Sequence, residues 1–279
     1  MSDSFVSLLT ALADDELVLG HRHSEWTGFA PHIEEDVAFS SIAQDEIGHA
    51  AALYEIASKL TGQDPDRFAL GREPEDYRNA ILCERPNGDW SYTLARHWLY
   101  DSADDIRLEA LQDTADEDLA ALVRKMRREE RYHLIHADAW LSRIAHGPVD
   151  GRSRLVDGLT RAFGEAESLF EPIELEDEAV EKGWLPLASS ELLARFVERA
   201  GNELDDLGLP TEIRAPLDES AEFVASSSGD LIAGRRAPGS SQGTRPSAGG
   251  GRAGHHTDDF RTLWAEMTST YRSAPGATW

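Results

Sequence analysis

Ser41-Ile42-Ala43-Gln44-Asp45-Glu46-Ile47-Gly48-His49-Ala50 places a glutamate and a histidine three residues apart inside a stretch that reads as helix. Glu129-Glu130-Arg131-Tyr132-His133-Leu134 repeats that spacing later in the chain. Residues i and i+3 share one helical face, so each E-x-x-H aims a carboxylate and an imidazole at one point. Chance alone supplies about one such match in a chain of this composition, so the spacing by itself is weak. The surroundings add weight. Glu46 and His49 sit among Phe39, Ile42, Ile47, Ala50 and Leu53, and a buried Glu or His needs a partner. Glu130 and His133 follow Arg127, Arg128 and Glu129, so there a solvated helix face competes with a ligand role.

Outward from these motifs, the first 147 residues read as four long helices. In the first, Phe5, Leu8, Leu9, Leu12, Leu17 and Leu19 recur mostly at threes and fours. A break follows at Thr27-Gly28, and Pro31 is expected to open the second helix, where its missing N–H costs nothing. That helix runs to about Leu60 and stops at Thr61-Gly62. Residues 62–89 look irregular, punctuated by Pro65, Gly71, Pro74, Pro86 and Gly88. A third helix starts near Trp90, and a fourth runs from about Asp116 to Ala145. Further helices are expected over 150–224, notably 153–169 and 188–204, and strand patterns are almost absent. These signals predict an all-α fold, an up-down bundle of the ferritin type with additional C-terminal helices. The domain reading is a helical domain over 1–225, a flexible Ser/Gly/Arg-rich linker over 226–254 and a helical tail over 255–279. In the tail Phe260, Leu263, Trp264 and Met267 share a face.

Each of the two remaining helices supplies a carboxylate. Glu16 in the first competes with Asp14 and Asp15; Asp101 in the third competes with Asp104, Asp105 and Glu109. Asp101 is favoured because it follows Trp98 and Leu99 on an apolar stretch. Glu16, Glu46, His49, Asp101, Glu130 and His133 together make the ligand set of a carboxylate-bridged di-iron bundle. Four carboxylates neutralise two hard dications, and two imidazoles complete the set. Asp45, Asp104 and Asp105 are candidates to hold the outer nitrogens of ligand imidazoles, against a plain surface role. His21, His23, His32, His97 and His136 have no second ligand at useful spacing and read as structural. Trp26, Trp90, Trp98 and Trp140 read as core or interface anchors.

The totals exclude other classes. Apolar residues make up 41 % and charged residues 28 %, which is globular rather than disordered. With 52 acidic against 27 basic residues the net charge is -25, which repels nucleic acid and anionic membrane alike. Only Lys59, Lys125 and Lys182 are lysines, and the acids recur along nearly the whole chain, a pattern of adaptation to a salt-rich cytoplasm rather than of one acidic patch. Cys83 stands alone, so no internal disulfide forms. No apolar run is long enough to span a bilayer and no secretion signal is visible, so a cytoplasmic protein is expected.

Several of these stretches resemble one family. They are Leu17-Val18-Leu19-Gly20 leading to Glu25-Trp26, the segment Ser41–Ala50, Glu84-Arg85-Pro86-Asn87-Gly88, and Glu129–Leu134. The tail from Gly254-His255-His256-Thr257 through Glu266-Met267 to Pro275-Gly276 and Trp279 is the most distinctive. Together, over nearly the whole length, they are similar to the second core subunit of the multicomponent phenylacetyl-CoA epoxidases, the PaaC family. The resemblance implies a mainly structural partner of a larger sister subunit, which holds the working di-iron centre and binds the thioester. It further implies a reductase component, and epoxidation of the aromatic ring with O2. Some members have lost the metal ligands, whereas this sequence keeps ligand-capable side chains at all six positions. Two rivals use the same bundle: a self-sufficient di-iron oxidase or ferroxidase, and a metal-free scaffold.

Overall fold

The computed structural model describes residues 3–216 and 249–274. Its helices are α1 (Asp3–Ser24), α2 (Ile33–Thr61), α3 (Pro65–Leu70), α4 (Ile81–Glu84), α5 (Trp90–Leu111), α6 (Glu117–Ala145), α7 (Val149–Ala166), α8 (Glu176–Glu181), α9 (Ser189–Asp206), α10 (Asp258–Met267) and α11 (Ser269–Ser273). Among the described residues there is no strand. The fold is all-α. The four long helices foreseen are α1, α2, α5 and α6, and they close a ring. α1 packs along α2, α2 meets α6, and α6 packs along α5. Side chains complete it, with Tyr100 and Arg107 of α5 reaching Glu16 and Asp15 of α1.

Burial separates the four into two kinds. α1 and α5 are covered nearly all round, because α4, α7, α8, α9 and the tail pack on the sides that α2 and α6 leave open. α2 and α6 each bury one stripe and expose the other, as amphipathic helices at a bundle surface do. Their ends follow local chemistry. Asp89 caps α5 through Tyr92 N (2.9 Å) and Asp116 caps α6 through Leu119 N (2.8 Å). Gly62 ends α2 at φ 74°, in the left-handed region that a side chain disfavours. Inside the bundle Gly20 lets α1 approach α2; a Cβ there would stand 2.8 Å from Ile47 Cγ1 and 3.2 Å from Ala43 O.

Some expectations need correction. Pro31 does not open α2: the first helical N–H groups bond back to His32 O, so the helix starts at Ile33 and Pro31 stands in the preceding turn. The stretch 62–89 holds α3 and α4 as well as loops. Asp64 caps α3 with Pro65 in its first turn, so residues that looked like punctuation start a helix. α8 falls within 150–224, where further helices were expected, but outside the two segments singled out. Most of the expected linker, 226–248, lies outside the described residues, as do 217–225 and 275–279. Residues 249–254 are described, and they are docked. Arg252 is buried, donating to Asp15 (2.6 and 3.0 Å), Ala11 O (3.1 Å) and Arg78 O (2.7 Å). Docking thus starts before the expected boundary at 255. It continues through Thr257 and His256 on Glu84 and through the buried Phe260, Leu263 and Met267. No helix among the described residues is long and apolar enough to cross a membrane.

Candidate metal centre

All six candidate ligands lie inside the ring at 1–3 % exposure, so the solvated-face alternative for Glu130 and His133 is out. Two groups form, Glu16–His49–Glu130 and Asp101–Glu130–His133, in each of which one ligand atom per residue lies within 4.8 Å of the others. Glu130 belongs to both. Glu46 belongs to neither; its Oε2 meets His23 Nδ1 at 2.9 Å and its Oε1 has no partner. Of the competitors, Glu109 is exposed and the other four are engaged elsewhere. Asp14 holds Arg72, Tyr54 and the Arg78 N–H; Asp15 holds Arg107, Arg252 and the Ala80 N–H. Asp104 holds Arg107, and Asp105 holds Arg127 and Arg199.

The two imidazoles are held alike. His49 turns Nδ1 toward Glu16 (3.3 Å) and Glu130 (3.2 Å) and gives Nε2 to Glu129 (2.9 Å). His133 turns Nδ1 toward Glu130 (3.1 Å) and gives Nε2 to Asp45 (3.3 Å). The residue before each motif's Glu therefore crosses to the other motif's His, with Asp45 of α2 on α6 and Glu129 of α6 on α2. Such outer carboxylates fix ring orientation and raise ligand basicity. Asp45 was a candidate from sequence. Glu129 was missed, although it occupies the same place in its motif. Tyr100 Oη, 2.9 Å from Glu16 Oε1, was missed too, as were His23 and His97, whose rings line the cluster. His97 Nδ1 lies 3.1 Å from Asp101 Oδ2 without the alignment of a hydrogen bond. His97 stands one turn before Asp101, a spacing passed over when it was read as structural; nothing in the sequence pointed to His23.

Electrostatics show what the site would accept. Burial pushes Glu46 and Asp101 well above the usual carboxylate range, and nearby carboxylates push the same way. Glu16 is raised as well, burial outweighing its contact with His49. Burial opposes charge on the imidazoles, but the adjoining carboxylates outweigh it and push His49 up to about 11 and His133 up to about 12. Glu130 resists burial and is held below its ordinary value by His133 and His49. Asp104, buried beside Arg107, is pushed up to about 7. Among the described residues, Glu46 Oε1, both Asp101 oxygens and Glu130 Oε1 are buried without a hydrogen-bond partner. Orphaned buried acceptors of this kind are uncommon in folded proteins. Four carboxylates, two imidazoles and a shared Glu130 fit a pair of dications, which would take up those oxygens and cancel the four charges. The surface grooves at Arg78–Glu171–Arg252, at Arg128–Ile135 and at Trp98–Glu203 are lined by none of the six.

A sequence profile of phenylacetic acid catabolic proteins matches residues 1–222, most of the chain and all four ring helices. The chain belongs to that family. Among curated relatives, the C component of the 1,2-phenylacetyl-CoA epoxidase of Escherichia coli (strain K12) is 28 % identical over 269 residues, covering 96 % of each chain. The match to the relative runs past the profile into the docked C-terminal helices.

Proposed function

We propose that this chain is the C-type core component of a multicomponent phenylacetyl-CoA 1,2-epoxidase in aerobic phenylacetate degradation, where it supports a di-iron catalytic sister subunit. The near end-to-end match to the C component of such an epoxidase carries this reading. Other members of the assembly, a reductase among them, would complete it in the cytoplasm. Obligate partners commonly bury about 2,000 Å² or more. Co-expression with the sister subunit tests the reading. The two chains are expected to co-elute, with ring epoxidation lost when this chain is omitted. A sister subunit that stays soluble and fully active alone would overturn it.

The six buried residues add a second part to the proposal. Glu16, Glu46, His49, Asp101, Glu130 and His133 would hold two ferrous ions, which when bound supply electrons to O2. The protein's own contribution is to keep the imidazoles turned inward through Asp45 and Glu129, to hold Glu16 through Tyr100, and to exclude water. This ligand set favours one rival, a self-sufficient oxidase. O2 consumption by the isolated, iron-loaded chain would support that rival; no consumption without the sister subunit supports the reading as a core component.

A further inference from the structure

On the outer side of α2, Val37, Ser41, Gln44, Gly48 and Ala51 are all exposed, and Ile33 extends the row by one turn. On the outer side of α6, Arg128, Tyr132, Ile135 and Ala139 are exposed in the same way. Both rows step by fours and threes, the spacing at which one helix meets another along its length. The rows lie side by side. Ser41 and Gly48 flank Asp45, which reaches His133 of α6, and Tyr132 lies between Glu129 and His136, which reach His49 and Glu35 of α2. Neither row contains a carboxylate, in a chain with 52 acids whose solvated helix faces should be rich in them. The exposed apolar bulk gathers here as well. Among the described residues the large apolar side chains that stand exposed are Phe29, Ile33, Val37, Tyr132 and Ile135, at 53 % to 80 %, with Val149 and Leu175 elsewhere. Single exposed apolar residues are ordinary, but a contiguous patch marks a contact surface. Gly48 is a separate sign. It sits inside a long helix, where glycine costs stability, yet a Cβ there would meet nothing within 4 Å. Packing within the described residues gives no reason for that space, whereas close approach by a second helix does.

We propose that the α2–α6 face is the docking surface for the sister subunit, and that it takes a helix apolar along one side and acidic where it passes Arg128. The identity of the partner rests on the epoxidase reading; the face itself is read from its residues. Charge decides between partners. Lys125, about one turn before Arg128, pairs with Glu129 (3.4 Å), but Arg128 has no carboxylate among the described residues. A second copy would lay this face on itself, because a two-fold contact uses the same patch on both sides. The two rows would then offer Arg128 no acid, and the copy would add a further charge of -25. A different chain that carries its own acids satisfies Arg128 and fixes the register of docking. The apolar side chains supply the centre from which water is expelled, with Tyr132 as a large anchor of the kind that dominates such contacts.

Co-expression of the parent or a variant with the sister subunit, followed by size-exclusion chromatography over a dilution series, reads the affinity; thermal melting of each variant checks its fold. Val37→Glu/Tyr132→Glu is expected to weaken the complex by about 30-fold or more. Gly48→Gln fills open space without touching the packing of this chain. It is expected to melt no lower than the parent and to weaken the complex by about tenfold. Arg128→Glu is expected to weaken it more at low salt than at high salt. Val149→Glu, an exposed apolar position outside the face, is expected to change nothing. Parent-like complexes with folded Gly48→Gln and Val37→Glu/Tyr132→Glu overturn the proposal and leave the epoxidase reading in place. A parent that self-associates, and variants that become monomeric yet bind the sister subunit as before, overturn it in favour of a second copy. A parent that never binds the sister subunit defeats the epoxidase reading, and the proposal with it.

Discussion

Glu130 is the residue on which the two ligand groups converge, and the most informative single change is Glu130→Gln. It keeps the shape but removes the charge both groups share, so metal retention is expected to fall for the whole site rather than for half of it. Elemental analysis after Fe(II) loading checks this. Asp45→Asn and Glu129→Gln leave all six candidate ligands in place yet release the outer nitrogens of His133 and His49. Each is expected to weaken metal affinity by about 10- to 100-fold in a Co(II) titration. The metal-free protein should also be pH-sensitive, with a definite sign. His49 and His133 have folded values raised from 6.5 to about 11 and about 12, so their contribution is fully present below 6.5 and is lost as pH rises through those values. Asp104, raised to about 7, acts in the same direction. Glu130 acts oppositely, contributing above 4.5 and losing its contribution in acid. Denaturant unfolding should therefore show lower stability near pH 9 than near pH 6. Equal stability at both would mean the rings are not charged in the fold. At this scale the sequence spoke through repetition: two E-x-x-H spacings pointed to His49 and His133, but Glu129 was legible only by aligning one motif on the other. His23 reaches Glu46 across the α1–α2 contact, a relation no spacing records.

At the scale of elements, close approach and caps decide what forms. Gly20→Ala puts a methyl against Ile47 and the Ala43 carbonyl, so a loss of about 1–3 kcal/mol is expected in denaturant unfolding. No loss would mean that α1 and α2 have room to separate. The long helices were readable because apolar periodicity, Gly62 and the Asp116 cap all agree. α3, α4 and α8 were not, because a helix of four to six residues shows barely one period and is set by its tertiary neighbours. The tail is the clearest case. A Ser/Gly/Arg composition reads as linker, yet Arg252 within it finds a buried Asp15 that sequence could not pair with it. Arg252→Ala leaves Asp15 to Arg107 and the Ala80 N–H alone. A loss of about 3–5 kcal/mol, the scale for breaking a buried ion pair, is expected. A much smaller loss would show the tail to be held by Phe260, Leu263 and Met267 instead.

For the whole molecule, charge and metal set the behaviour. With a net charge of -25 the folded chain repels itself, and salt relieves that. Raising KCl from about 0.1 M to about 1 M shortens the screening length from about 10 Å to about 3 Å. The melting temperature is expected to rise over that interval, while a fall would count against salt adaptation. The buried Asp14–Arg72 and Asp15–Arg107–Arg252 groups are shielded from such screening, so the surface acids should dominate the response. Class and charge were legible from composition, and the ring of helices from periodicity. Whether six side chains met at one place depended on how four helices rotate about their axes. The central claim is that they form a two-metal site, and it is tested by anaerobic Fe(II) reconstitution of the parent beside a Glu46→Ala/His49→Ala double variant. About two irons per chain in the parent and far fewer in the variant are expected. A parent that retains no iron would contradict the claim and leave the buried carboxylates and imidazoles as a metal-free polar core.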